Sequence, residues 1–279
     1  MSYDSLTLNI DAKIAHIQLN CPDTLNTMTP AFWRELPEVV QHIDREAAAR
    51  VIVLSSTGKH FCAGMDLSVF TGGALTSKQE LGRKHENLRR TVLQLQEALS
   101  QLEKVRMPVL AAIQGGCIGG AVDMVTACDS RYCTEDAFFS IEETKLGMTA
   151  DVGTLQRLPH LIPQGLVREL AYTGRRMYAD EAKQAGLINR VYPDQATMLN
   201  DVMDIAAQIA ARSPLAVTGC KEMINYTRDH SVADSLNYMA AWQSGMFQPE
   251  TDMMETFMAK AEKREPDFEE LNKMTSIFD

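Results

Sequence analysis

The sequence is short of basic residues, and this shortage excludes one large class of function. Its 27 Lys and Arg residues stand against 37 Asp and Glu residues, which gives a formal net charge of -10. Proteins that bind nucleic acid without sequence preference neutralise phosphates with Lys and Arg, so we expect no nucleic-acid partner. An anionic small molecule is not excluded, because physiological salt screens charges over about 8 Å and a pocket can differ from the average surface.

Long apolar runs and targeting signals are missing as well. No run approaches the roughly 20 apolar residues that cross a bilayer, so we expect no membrane association. The N-terminal MSYDSLTLNI lacks the basic region and apolar core of a signal peptide, and the C-terminal SIFD is not an SKL signal. These features predict a cytoplasmic protein.

The cysteines lack the spacing of a metal site. They form no CxxC pair and do not alternate with histidine; they are Cys21, Cys62, Cys117, Cys128, Cys133 and Cys220. We therefore expect reduced, mostly buried thiols and no metal. With 45% hydrophobic and 23% charged residues, the composition is that of an ordinary globular protein.

Strand and helix patterns alternate through most of the chain. Period-two alternation predicts a β-hairpin over residues 6–19, and Thr29-Pro30 predicts the start of a helix that ends near Arg45. Further predicted elements are buried strands at 51–54 and 109–113, an amphipathic helix at 77–105, a helix at 119–127 and a strand at 138–141.

The pattern becomes helical after residue 195. Helices are predicted at 196–212, 214–228, 231–246 and 250–264. The sequence therefore predicts an α/β core over residues 1–195 and a helical C-terminal region over residues 196–279.

Two glycine-rich segments each follow a predicted buried strand. They are KHFCAGMD at residues 59–66 and GGCIGG at residues 115–120. Glycine lets the backbone approach a ligand closely. If a helix begins at Gly120, the free N–H groups of its first turn can bind an oxyanion. Neither segment has the spacing of a dinucleotide fingerprint or a Walker A loop, and for either one alone a plain tight connection is an equal alternative.

A group of carboxylates lies close to the second glycine segment in sequence. Asp123 is one helical turn after Gly120, Glu143 ends the strand segment FFSIEE, and Asp151 follows in a loop. Taken singly, each is better explained as a solvated surface charge. The apolar neighbours of Asp123 and Asp151 favour instead a buried cluster that moves protons beside the oxyanion site.

Together these segments resemble the enoyl-CoA hydratase/isomerase (crotonase) family. The resemblance rests on the AGxD turn from Ala63 to Asp66, on GGCIGG, and on Leu146-Gly147 with QRLP at 156–159, and it covers roughly residues 5–265. It implies an α/β crotonase-like spiral of ββα repeats with an acyl-CoA site, and a helical C-terminal region used for trimer contacts.

The resemblance also assigns roles to individual positions. It implies that the backbone N–H groups of Met65 and Gly120 form the oxyanion hole for a thioester carbonyl. Asp123 and Glu143 match two acidic positions that hydratases fill with glutamate. Asp151 stands where hydratases typically have glycine, and there the dienoyl-CoA isomerases of the family have aspartate.

Further segments are similar to that isomerase subfamily, which converts 3,5-dienoyl-CoA to 2,4-dienoyl-CoA in fatty-acid beta-oxidation. They are CIGGAVDMVTACDSRYC, DAFFSIEE, ADVGTLQRLP and the stretch that begins at Arg228. Our hypothesis takes Asp151 as the base at C2 and Glu143 as the acid at C6, with the reverse assignment open. The adjacent Glu142 is an alternative to Glu143.

The resemblance also implies the partners. Ala63, Asp66 and Leu67 would receive the adenine end of coenzyme A. No cofactor is expected beyond the coenzyme A moiety of the substrate, and the expected assembly is a homotrimer or a dimer of trimers. Two alternatives remain: an enoyl-CoA hydratase that uses Asp123 and Glu143, and a catalytically silent relative that binds acyl-CoA or RNA.

Overall fold

The computed structural model describes residues 3–66, 69 and 80–274. The chain begins with an antiparallel hairpin of strands β1 (Leu6–Asp11) and β2 (Ile14–Leu19). The two turn residues, Ala12 and Lys13, have φ values of 46° and 66°. Positive φ at both positions is typical of a type I′ hairpin turn, and with the antiparallel pairing it confirms the predicted hairpin.

The other predicted strands and helices are present, together with short elements that the sequence pattern did not predict. The described strands continue with β3 (Val51–Ser56), β4 (Val109–Ile113), β5 (Gly116–Ile118), β6 (Ser130–Thr134), β7 (Phe138–Ser140), β8 (Met177–Tyr178) and β9 (Arg190–Tyr192). The described helices are α1 (Pro30–Arg45), α2 (Leu81–Lys104), α3 (Gly120–Thr126), α4 (Thr154–Arg157), α5 (Gln164–Thr173), α6 (Ala179–Ala185), α7 (Gln195–Ala210), α8 (Pro214–Thr227), α9 (Val232–Met246) and α10 (Met254–Glu262).

The strands form a larger and a smaller sheet. Within the described ranges the larger sheet has the order β1-β2-β3-β4-β6-β9, and it is parallel except for the β1–β2 pair. All six residues of β3 are buried, as expected for a strand covered on both faces. The smaller sheet has the order β5-β7-β8. Its strand β5 lies inside GGCIGG, where the sequence pattern predicts no strand.

Parallel pairing brings the two glycine-rich segments together. Strands β3 and β4 are neighbours and run the same way, so the segments that follow them leave the same edge of the sheet. An isolated bridge between Cys62 and Cys117 then joins these segments directly. The edge of the sheet therefore places residues 59–66 beside residues 115–120.

The helices after residue 195 differ in how they pack. Helix α7 buries Met198 and Val202 in a cluster with Val51, Val53 and Leu110 of the sheet. Helix α9 has no buried residue in the described chain. A domain division at residue 195 therefore stays a prediction. In the part of the chain that the structure covers, no helix is both long enough and apolar enough to cross a membrane.

Candidate active site

A cavity of about 920 Å³ opens where the two glycine-rich segments meet helix α2 and the loop after β7. The residues that the sequence singles out and that line it are Ala63, Met65, Asp66, Gly120, Asp123, Glu143 and Asp151. Leu67 lies outside the described residues. The structure thus brings residues from three separate segments, around residues 63–66, 120–123 and 143–151, to one cavity. The individual roles of these residues stay predictions.

The backbone around Met65 and Gly120 forms a pair of N–H donors. Neither N–H donates to a backbone acceptor among the described residues. Gly64 has a φ of 86°, and a Cβ there would lie 2.7 Å from the carbonyl oxygen of Ile118. A Cβ on Gly120 would lie 2.8 Å from Met28 Sδ and 3.9 Å from Met65 N. At Gly64 the positive φ and the backbone oxygen leave room for glycine only, whereas at Gly120 a Cβ would meet a flexible methionine side chain. That the N–H groups of Met65 and Gly120 form an oxyanion hole stays a prediction.

Asp123 lies in the first turn of α3 and is almost fully buried, with 1% of its surface exposed. Its Oδ1 accepts a hydrogen bond of 2.5 Å from the backbone N–H of Thr154. Burial is the main cause that raises its pKa, and the negative charge of Asp151 adds to this, whereas the bond from Thr154 and the charge of Arg157 lower it. Asp123 is therefore a buried carboxylate that the first residue of α4 holds in place.

Glu143 begins a 3-10 turn (Glu143–Leu146), and the prediction that it ends a strand is wrong. The strand stops at Ser140, and the turn closes at Gly147, whose φ of 74° suits a left-handed cap. This turn carries the carboxylate to the oxyanion hole: a Cβ on Gly119 would lie 3.3 Å from Glu143 Oε1. Its Oε2 is buried and has no hydrogen-bond partner in the described chain.

The environment of Glu143 raises its pKa to about 7. Burial is the largest cause, and the negative charges of Asp123 and Asp151 add to it. A carboxyl with such a pKa is partly protonated at neutral pH, so it can either give or take a proton.

The adjacent Glu142 is in a different state. Ser140 Oγ donates to Glu142 Oε1 at 2.5 Å, and Lys145 Nζ lies 3.0 Å from the same oxygen. Burial raises the pKa of Glu142, but these two hydrogen bonds outweigh burial and lower it overall. Of the two neighbouring glutamates, Glu142 is thus paired and ionised, whereas Glu143 has a raised pKa and an unpaired oxygen in the described chain. Its choice as the proton-transfer residue stays a prediction.

Asp151 lies at the rim of the cavity in the loop before α4. Its side chain is exposed, and its backbone carbonyl accepts a hydrogen bond of 2.6 Å from Gln96 Nε2. Partial burial raises its pKa. Asp151 is therefore closer to solvent than Glu143 and Asp123, and better able to stay ionised as a base.

The first half of helix α2 forms a cavity wall that the sequence analysis missed. Leu88, Val92 and Leu95 line the cavity, together with Lys84 and His85. An amphipathic stripe predicts a buried face, yet Leu88 is 46% exposed. Periodicity cannot separate a stripe that faces a core from one that faces a ligand cavity.

Two backbone N–H groups with no backbone acceptor among the described residues lie beside three carboxylates, an arrangement that is typical of enzymes that move protons next to an oxyanion. Residues 9–272 match the enoyl-CoA hydratase/isomerase family, and the chain belongs to this family.

Named relatives cover nearly the whole chain. A human protein named "Delta(3,5)-Delta(2,4)-dienoyl-CoA isomerase, mitochondrial" is 46% identical over 95% of this chain and 81% of its own length. An Arabidopsis thaliana protein with the same name, "peroxisomal", is 42% identical over 97% of this chain and 99% of its own length.

The fold has solved counterparts as well. The crystal structure of enoyl-CoA hydratase from Bacillus anthracis matches with a TM-score of 0.84 and 31% identity, over 95% of this chain and 99% of that one. The predicted α/β crotonase-like fold is thus confirmed.

Proposed function

We propose that this protein is a dienoyl-CoA isomerase that converts 3,5-dienoyl-CoA to 2,4-dienoyl-CoA. The observation that carries the proposal is the meeting of Asp123, Glu143 and Asp151 at one cavity beside two backbone N–H groups that have no backbone acceptor among the described residues. The names of the human and Arabidopsis relatives support the same reaction.

Two carboxyl groups exchange protons with the substrate. The carboxylate of Asp151 removes the proton from C2, and the electrons move through the diene, so that negative charge develops on the thioester oxygen. The N–H groups of Met65 and Gly120 stabilise this charge; in other enzymes one such donor contributes about 3–4 kcal/mol. Protonation at C6 by the carboxyl of Glu143 then leaves double bonds at C2 and C4. Asp151 ends protonated and Glu143 ionised, and exchange with solvent restores both.

The pKa values support this division of roles. The acid must be protonated at the start, and the pKa of Glu143 is raised to about 7. The buried charge of Asp123 helps to hold it there by repulsion. Asp123 then acts by setting the protonation of Glu143.

We infer that coenzyme A binds across the mouth of the cavity, and that it enters as part of the substrate with no further cofactor. Ala63 and Asp66 line the cavity on the side of β3, where the adenine end is expected with Leu67. Lys84 and His85 of α2 also line it, and their side chains are suited to the anionic phosphates. The acyl chain would lie along the apolar wall formed by Leu88, Val92 and Leu95.

We further propose that the chain assembles as a homotrimer or a dimer of trimers. The C-terminal helices α8 to α10 expose many large apolar side chains, among them Ile224, Val232, Leu236, Met239, Phe257 and Met258. A contiguous exposed apolar surface is a common sign of a protein interface. Cytoplasmic location stays a prediction, since the relatives named above are mitochondrial and peroxisomal.

An absorbance assay tests the reaction. Conjugating a diene with the thioester raises near-ultraviolet absorbance, whereas hydrating a 2-enoyl-CoA lowers it. We expect purified protein to raise the absorbance of a 3,5-dienoyl-CoA. Activity on a 2-enoyl-CoA alone would replace the proposal with the hydratase, and binding without turnover of either substrate would replace it with a silent acyl-CoA-binding protein.

A further inference from the structure

The loop that carries Asp151 is a thin wall between two cavities. Its inner side faces the active-site cavity, and its outer side faces a second cavity of about 470 Å³. Val152 lines both. Ala150 and Val152 of this loop pack in the hydrophobic core, but Asp151 between them is exposed. Apolar packing alone therefore does not fix the carboxylate of Asp151, and polar contacts to the loop contribute to its position.

Helix α2 supplies these polar contacts from one face. Gln96, Ser100 and Glu103 follow one another at helical spacing and all line the second cavity. Gln96 Nε2 donates to the carbonyl oxygen of Asp151 at 2.6 Å, where the loop begins. Arg157 Nη2 donates to Ser100 Oγ at 2.8 Å, and its Nε donates to Glu103 Oε2 at 3.3 Å, where α4 ends. We call Gln96, Ser100, Glu103 and Arg157 the α2 clamp.

Arg157 reaches both the loop and the catalytic cluster. Gly153 has a φ of 138°, and a Cβ there would overlap Arg157 Nη1, so the guanidinium fills the space directly against the loop. The next residue, Thr154, binds the carboxylate of Asp123. The positive charge of Arg157 also acts on Asp123, where it opposes the effect of burial on the pKa.

The partner of Arg157 is itself held from two sides. The carboxylate of Glu103 pairs with Arg157 and also with Arg228, just after α8. Side-chain exposure is 13% for Arg157 and 17% for Glu103. At this degree of burial a charge-assisted pair is screened less than on the surface and fixes geometry.

We propose that Arg157 is a positioning residue for the reaction: held by Ser100 and Glu103, it sets the loop that presents Asp151 to C2 of the substrate. The inference rests on the proposed function. Arg157 is absent from the lining of the active-site cavity, so it acts through the loop and through Asp123.

Arg157→Gln tests the clamp, and Arg106→Gln is its matched control. Arg106 forms a comparable half-buried pair with Asp44 at 2.7 Å, and neither residue lines the cavity. We expect Arg157→Gln to lower kcat on a 3,5-dienoyl-CoA by about 10- to 100-fold, since misplacing a catalytic group by about 1 Å can cost that much. KM should stay within about twofold, because the oxyanion hole and the apolar wall of α2 are intact.

Further variants separate positioning from mere destabilisation. Arg157→Lys should restore part of kcat, and Glu103→Gln combined with Arg157→Gln should cost no more than Arg157→Gln alone, because the pair acts as a unit. Gln96→Leu removes only the contact to the loop carbonyl and should lower kcat several-fold, which keeps the proposal testable if Arg157→Gln does not fold.

The outcomes distinguish the two proposals. An active wild-type protein in which the foldable clamp variants match Arg106→Gln in kcat would overturn the clamp alone. A wild-type protein with no activity on the dienoyl substrate would overturn the proposed function, whatever the variants do.

Discussion

Two charged regions of this molecule differ in whether their charged side chains have partners of opposite charge. Around Arg50 every charge has a partner: its guanidinium donates to both carboxylate oxygens of Glu270 at 2.8 Å, and to the carbonyl oxygens of Ala210 at 2.9 Å and Phe268 at 2.6 Å. Lys13 Nζ contacts Glu270 at 2.9 Å. This network ties the segment after α10 to the sheet.

The candidate active-site cavity instead holds three carboxyl groups close together. Asp123, Glu143 and Asp151 have like charges, burial raises the pKa of each, and one oxygen of Glu143 has no partner in the described chain. Burying carboxylates without counter-charges costs stability. The Arg50 network thus pairs its charges and fastens the fold, whereas the cavity holds carboxyl groups with raised pKa values, which is the arrangement that our proposal uses for proton transfer.

The largest expected effect separates the two regions by activity. Asp151→Asn should lower kcat by about 10²–10⁴-fold, because a general base contributes on this order. Absorbance at saturating 3,5-dienoyl-CoA measures it. Glu142→Gln is the control, since Glu142 lines the same cavity but is paired, and it should change kcat little. Unchanged turnover in Asp151→Asn would remove Asp151 from the mechanism.

The second prediction separates the regions by stability. Arg50→Met leaves Glu270 with Lys13 alone and the carbonyl groups of Ala210 and Phe268 without their donor. We expect a loss of about 3 kcal/mol in the free energy of unfolding, measured by urea titration, because two carbonyl oxygens lose their donor at buried contacts. The Glu270 side chain is 45% exposed, so the loss of its ion pair adds little. The kcat of the folded fraction should not change; a large fall in kcat would show that the two regions are coupled.

Local sequence patterns predicted the parts of the fold that depend on neighbouring residues. The hairpin alternates, Thr29 accepts a hydrogen bond from the N–H of Phe32 as a helix cap, and VIVL is apolar throughout. The position of Glu143 was not predictable in this way, because the short strand before it ends where a turn closed by Gly147 begins.

Contacts between distant residues left no signal in the sequence. Arg50 and Glu270 are 220 positions apart, and no periodicity relates them. The stripe of α2 was visible, but its meaning depends on what faces it: Leu99 is buried in the core, whereas Leu88 faces the cavity. The carboxylates of the site were named from the sequence because a family resemblance supplied the distant contacts that local patterns lack.

The third prediction concerns the cost of an unpaired carboxyl. The pKa of Glu143 is raised from 4.5 to about 7, so the folded state binds this proton more tightly than the unfolded state. Stability from this group is therefore present at low pH and is lost as pH rises through about 7. The shift corresponds to ~3 kcal/mol at most, and partial exposure reduces it to about 1–2 kcal/mol.

Glu143→Gln should consequently raise the free energy of unfolding above neutral pH by that amount and leave it nearly unchanged near the ordinary pKa of glutamate. Urea titrations at the two pH values measure the difference. If the substitution changed the free energy of unfolding equally at both pH values, the ionised form of Glu143 would not destabilise the fold. The contrast with the Arg50 network would then be weaker.

The smallest expected effect is a displacement along the pH axis, and it decides which carboxyl is the acid. If Glu143 donates the proton at C6, kcat/KM falls as pH rises through about 7, because the carboxyl must be protonated in the free enzyme. Asp123→Asn removes a negative charge that raises the pKa of Glu143, so the fall in kcat/KM should occur at lower pH in this variant. Because the three carboxyl groups interact, the pH at which kcat/KM falls is an apparent pKa of the group. A kcat/KM that rises through the same pH would instead make Glu143 the base, and the exposed Asp151 would then deliver the proton.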